Sequence, residues 1–134
     1  MLVRSENSDQ VTTLEWLVEG RILLMDVKVN VLESSSKYDQ LIVNHMNSTL
    51  HEVDIIMCMP EFRVQKPLSL KQLANFKYQR HPRLGYVIFI GQKTNQVVRF
   101  FMTTVASVRG LRMHTFETLN EAMAFLRQAR GYSA

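Results

Sequence analysis

The residues with the most capacity for chemistry lie in the second half of the chain. From Phe62 to Phe116 there are ten lysines and arginines (Arg63, Lys66, Lys71, Lys77, Arg80, Arg83, Lys93, Arg99, Arg109 and Arg112) and no aspartate or glutamate. Interleaved with Phe62, Phe76, Tyr78, Tyr86 and Phe100, this stretch has the composition of a surface for phosphate groups or for an acidic protein. Nucleic acid is disfavoured, because the charges should scatter over several elements and no recognition-helix, RNP-type or GXXG signature accompanies them. An acidic protein patch is the better match, and the chain itself contains one. Through Met59 there are four basic and nine acidic residues, a net of −5, whereas the remainder carries +9. Two copies could therefore associate acidic half to basic half, as a homodimer.

The smaller constellations carry less. Gly91, Lys93 and Thr94 lie between an apolar run and Asn95, where an expected helix N-terminus would offer free N–H groups to an anion, with Arg99 close behind. The glycine spacing matches neither a P-loop nor a dinucleotide fingerprint, so an ordinary strand-to-helix turn is the alternative. Four histidines (His45, His51, His81 and His114) form no HExxH, and Cys58 has no Cys or His at zinc spacing. Cys58 reads as a small core residue at a strand end rather than a nucleophile. Most of the eight methionines fall where core is expected. No catalytic residue, metal site or cofactor is expected.

Alternating strand and helix signals must position these groups, and they describe one α/β domain. Thr12–Val18 and Arg21–Val29 form a hairpin around Glu19-Gly20. Ser34–Ser36, with Asp39 as capping-box partner, starts a helix that ends near Asn47. Val53–Met59 is a strand covered on both faces, closed by Pro60. Leu70–Phe76 is a short helix ending before His81-Pro82. Gly85–Gly91 is the most apolar strand, followed by a helix over Val97–Val108 that Gly110 terminates. Arg112–Thr115 is the last strand, and Thr118 with Glu121 caps a final helix. The expectation is a mixed, mostly parallel sheet of about five strands with about four helices, in the order β-β-α-β-α-β-α-β-α. Residues 1–11 are expected to be a flexible segment, 12–130 the domain and 131–134 a tail. With 134 residues, 46% of them hydrophobic, the chain can bury a real core. One cysteine precludes an internal disulfide, no leader pattern opens the sequence, and no apolar run reaches the roughly 20 residues of a spanning helix. A cytoplasmic protein without membrane insertion is expected.

The opening hairpin, the strand Leu84-Gly-Tyr-Val-Ile-Phe-Ile-Gly91, the Val97–Val108 helix and the ending His114-Thr-Phe-Glu-Thr-Leu-Asn-Glu-Ala-Met-Ala-Phe-Leu126 resemble bacterial STAS-like domains, the superfamily of anti-sigma-factor antagonists. The resemblance runs from about Thr12 to Arg127. It implies a STAS-like fold and a small regulatory protein-interaction module in bacterial signalling, not an enzyme. In the phosphorylated branch of that family, a Ser or Thr in an Asp-Ser-type motif follows the third strand at a helix N-terminus, where a partner kinase switches binding. A phosphate there adds nearly two negative charges beside the helix dipole. This chain departs from the pattern: after Cys58 it reads Met-Pro-Glu-Phe-Arg-Val-Gln-Lys-Pro-Leu-Ser69, with no Asp-Ser pair. Ser69 is the candidate phosphoacceptor, with a plain helix cap as its other reading. Partner contact is placed on Phe62, Arg63, Lys66, Ser69 and Lys71.

Overall fold

The computed structural model describes residues 2–4, 11–26, 35–58, 76–90, 107 and 110–131. They form six strands and two α-helices: β1 (Leu2–Arg4), β2 (Val11–Val18), β3 (Ile22–Asp26), α1 (Ser35–Asn47), β4 (Val53–Cys58), β5 (Leu84–Ile90), β6 (Arg112–Phe116) and α2 (Leu119–Arg130). A 3-10 turn at Lys77–Arg80 precedes β5. The β2–β3 hairpin turns through Glu19-Gly20, where Gly20 adopts φ 72° and the Arg21 N–H returns to the Val18 carbonyl at 2.9 Å.

The sheet runs β1-β2-β3-β4-β5-β6, so each strand lies beside its predecessor in sequence. β1, β2 and β3 pair antiparallel, whereas β3, β4, β5 and β6 pair parallel. The expected mostly parallel sheet of about five strands is therefore a mixed one of six. The added strand is Leu2–Arg4, which was expected in a flexible segment. Three residues carry too little periodicity to announce a strand, and pairing with Val11–Thr13 supplies it. The four helices expected reduce, among the described residues, to two α-helices and the 3-10 turn. The helices expected over 70–76 and 97–108 fall almost wholly outside the described residues.

Parallel neighbours joined in sequence by crossovers of one hand place every connection on the same face. Accordingly α1 and the 3-10 turn share one face, where Tyr38, Ile42 and Met46, at four-residue spacing, cover Leu23, Ile55 and Val87. The cap expected between Ser34–Ser36 and Asp39 lies at residues whose side chains are outside the described ones, but Asp39 is seen in another role. Its carboxylate accepts the Lys77 and Tyr78 N–H groups at 2.7 and 3.0 Å and so caps the 3-10 turn. α2 follows the last strand and takes the opposite face, with Ala122 and Leu126 over Ile56 and Ile88. Its expected ends are present: Thr118 Oγ1 accepts the Glu121 N–H at 3.2 Å, and Gly131 at φ 70° closes it in the left-handed region.

β5 carries a bulge, since the register moves from Val53↔Leu84 to Ile55↔Val87. Gly85 stands in it, with the Asp54 carboxylate, the Arg130 guanidinium and the Val53 carbonyl where a Cβ would be. Backbone, a buried acid and its partner cannot all give way to a methyl group. Gly85→Ala should lower unfolding stability by about 2 kcal/mol or more in denaturant titration; a change under about 0.5 kcal/mol would mean the close approach is relaxed in solution.

Candidate functional site

The parallel strands give the sheet an amino edge and a carboxyl edge, and the two differ in chemistry. At the amino edge Asp54, wholly buried, interrupts the apolar run of β4. Its Oδ1 accepts the Tyr86 N–H at 2.8 Å and Arg130 Nη2 at 2.6 Å, while Oδ2 accepts Arg130 Nε at 3.1 Å. This forked pairing ties the last turn of α2 to two central strands. Glu52 Oε1 accepts from Arg130 Nη2 and Arg112 Nη2, both at 2.5 Å. Both guanidinium carbons also stand over the Tyr86 ring, 4.8 Å from its centroid for Arg112 and 5.0 Å for Arg130. Burial pushes the Glu52 carboxyl up, but hydrogen bonds from Arg130 and Arg112 together with their charges outweigh it and hold it below its usual range. The bond to Asp54 foremost pushes Arg130 up against a smaller cost of burial, so it stays charged.

His81 continues this edge. The Arg83 N–H must donate to His81 Nδ1, at 3.1 Å, so the neutral ring carries its proton on Nε2 and donates to Asn47 Oδ1 at 2.7 Å. Arg83 Nη1 donates to the Met46 carbonyl at 3.2 Å, and the Val53 N–H to the Arg83 carbonyl at 2.7 Å. The end of α1 is thus fastened to the start of β5. Burial, and then the Arg83 charge, lower the His81 pKa. Behind them burial pushes the Tyr78 phenol up to about 12, so it stays protonated.

At the carboxyl edge Asp26, Cys58, Ile90 and Phe116 stand in register across four strands. In open α/β sheets ligands bind outside the carboxyl ends of the strands where the strand order reverses; among the described strands the order follows the sequence throughout. The chain leaves it from Cys58 toward Phe62, Arg63, Lys66, Ser69 and Lys71, and from Ile90 toward Gly91, Lys93, Thr94, Asn95 and Arg99. All ten of these residues lie outside the described residues. What the fold contributes is their point of departure: the two segments start from paired residues on adjacent central strands. Cys58 itself is half-buried beside Ile90, on the face that α2 covers.

Three cations of the stretch without acidic residues are engaged within the fold, one of them by an acid. Arg112 meets Glu52, Lys77 reaches Gln40 Oε1 at 3.4 Å, and Arg83 is committed to backbone. The Asp54–Arg130 pair escaped the sequence reading, although an aspartate inside a buried apolar strand is itself a signal that a cation must stand opposite it. Among the described residues no group of three or more His, Cys, Asp or Glu side chains could hold a metal, and no helix is long and apolar enough to cross a membrane. The chain matches no family model, and no curated protein or solved structure is significantly similar to it.

Removing one partner of a buried ion pair leaves the other charge uncompensated, whereas an exposed pair contributes little. Arg130→Met should cost about 3–5 kcal/mol in denaturant unfolding, and adding Asp54→Asn should recover part of that loss. Arg112→Ala, with its side chain 45% exposed, should cost about 1 kcal/mol or less; equal losses for the two arginines would contradict this ranking. His81 has a lowered folded pKa, so its contribution is complete above the ordinary value of 6.5 and falls as pH drops from there toward the folded value. Melting temperatures from pH 7.5 to pH 5 should therefore decline less steeply in His81→Gln than in the unaltered protein; parallel slopes would show that the clasp does not titrate.

Proposed function

We propose that this chain is a non-enzymatic, cytoplasmic interaction module of the STAS-like kind, which binds a protein partner through the segments leaving the carboxyl edge of its sheet. The observation that carries this reading is the register of Cys58 with Ile90. It sets side by side the origins of the two segments that hold Arg63, Lys66 and Lys71 on one side and Lys93 and Arg99 on the other. Lys93 follows Ile90 by three residues and Arg63 follows Cys58 by five, so covalent reach keeps both cations near one edge. At the opposite edge Arg112 and Arg130 are already paired with Glu52 and Asp54, which favours the carboxyl edge as the place for an acidic partner.

The order of described elements supports the same reading. The opening hairpin, the Leu84–Ile90 strand and the capped terminal helix are among the features on which the resemblance to anti-sigma-factor antagonists rests. Within it Ser69 is the residue at which a kinase would act, adding negative charge among Arg63, Lys66 and Lys71. A phosphate so placed would be held by those cations and withdraw them from an acidic partner. Phe62 would supply the apolar part of the contact.

The test is capture from the host lysate with tagged protein, nuclease-treated and untreated. Arg63→Glu with Lys66→Glu should reduce retention of the captured protein at least tenfold while the circular dichroism spectrum and melting temperature stay those of the unaltered chain. Undiminished retention would remove this surface from the account, and retention that disappears with nuclease would make the partner a nucleic acid.

A further inference from the structure

His81 joins two elements through ring nitrogens in opposite roles. Its Nδ1 accepts the Arg83 N–H at 3.1 Å, at the entrance to β5, and its Nε2 donates to Asn47 Oδ1 at 2.7 Å, on the last residue of α1. Of the ring's three protonation states only the neutral one with its hydrogen on Nε2 fits both contacts. An added proton has one place to go, Nδ1, and there it faces the Arg83 N–H. Two donors cannot share that gap, so the contact with Arg83 is lost while the one with Asn47 becomes charge-assisted.

The surrounding charges decide which element keeps the ring. The end of α1 presents the Met46 and His45 carbonyls, and the negative pole of the helix favours a cation there. Arg83 already places its guanidinium on the Met46 carbonyl, and after burial its charge is what opposes protonation of His81. No carboxylate stands against the ring to hold its charge. Glu52 is turned to Arg112 and Arg130, and Asp39 to the start of the 3-10 turn. On α1, His45 faces Trp16 and the Leu41 carbonyl. On the 3-10 turn, Lys77 reaches Gln40 and Arg80 is exposed; His51 is exposed in the connection from α1 to β4.

The length of chain that the ring controls is bounded on both sides. Upstream the 3-10 turn is capped by the Asp39 carboxylate, and downstream Leu84 enters the ladder opposite Val53. Between them lie His81, Pro82 and Arg83. Pro82 has no N–H to contribute, so besides the His81 ring this turn is held by the Leu84 N–H on the His81 carbonyl at 3.1 Å and the Val53 N–H on the Arg83 carbonyl at 2.7 Å.

We propose that His81 is a proton-operated latch: in acid its ring releases the Arg83 backbone, stays with the end of α1 and lets the turn at residues 81–83 open while the sheet remains folded. The effect is local and directional, distinct from a loss of overall stability. It goes beyond the carboxyl-edge reading and does not depend on it.

Hydrogen exchange of the full chain, followed residue by residue at pH 7.5 and pH 5 and corrected for the intrinsic pH dependence of exchange, reads the latch directly. Protection of the Arg83 amide should fall at least tenfold between the two, and that of Val53 should fall with it, whereas the amides of Ile55–Met57 and Val87–Phe89 keep theirs. His81→Gln, whose side chain gains no proton, should show no such fall. Asn47→Asp should move the fall to higher pH, because a carboxylate beside the ring favours the imidazolium. An Arg83 amide equally protected at both pH values, or a fall shared by the central strands, would overturn the latch in the unaltered chain alone. So would a fall that persists in His81→Gln or one that Asn47→Asp does not move to higher pH.

Discussion

A charged aspartate in the middle of a sheet is the constraint around which the rest of this structure is arranged. Asp54 has no access to water, so its carboxylate must be matched by donors from the protein. Three are present, the Tyr86 N–H and two nitrogens of Arg130. Each imposes a condition elsewhere. Arg130 must arrive from the last turn of a helix on the face to which Asp54 points, which sets where α2 ends. Tyr86 must turn its N–H toward β4, and the bulge in β5 makes this geometry available. Gly85 must lack a side chain, because the carboxylate and guanidinium occupy that space. A pair of this kind contributes less net stability than its Coulomb energy implies, since both groups lose their hydration. Its effect is on uniqueness: any register that separates the two charges leaves one of them buried alone.

The pair also divides the sheet by role. Several groups at the amino edge are tied inward: Glu52 to two arginines, His81 to Asn47 and Arg83, and the Arg83 carbonyl to Val53. These groups are satisfied by one another and have little left to offer a ligand. The carboxyl edge has strand ends in register, and from it the chain enters segments rich in Lys and Arg and without Asp or Glu from Phe62 on. One edge holds the chain together, and the proposed reading assigns recognition to the other.

Much of the fold was legible because its signals are local. The Glu19-Gly20 turn, the Thr118 cap with Glu121, the Gly131 terminator and the apolar runs of β4 and β5 each depend on residues within a few positions of one another, and all stand where the sequence places them. What was not legible is long-range. Asp39 caps a turn 38 positions away, Arg130 reaches Asp54 over 76 positions, and β1 becomes a strand only because β2 lies beside it. Nothing in periodicity encodes such pairings. The candidate site was legible as composition, ten cations without an acid, and that measure overcounts. Arg112 belongs to the same stretch in sequence yet spends its charge on Glu52, 60 positions back.

The division between a holding edge and a recognising edge is tested most directly by hydrogen exchange of the chain alone and of the chain bound to the protein it captures. The account predicts that binding slows exchange in the segments after Cys58 and after Ile90 and leaves Glu52 to Asp54 and the end of α2 unchanged. Slowed exchange confined to the amino edge, with the two basic segments unaffected, would contradict it.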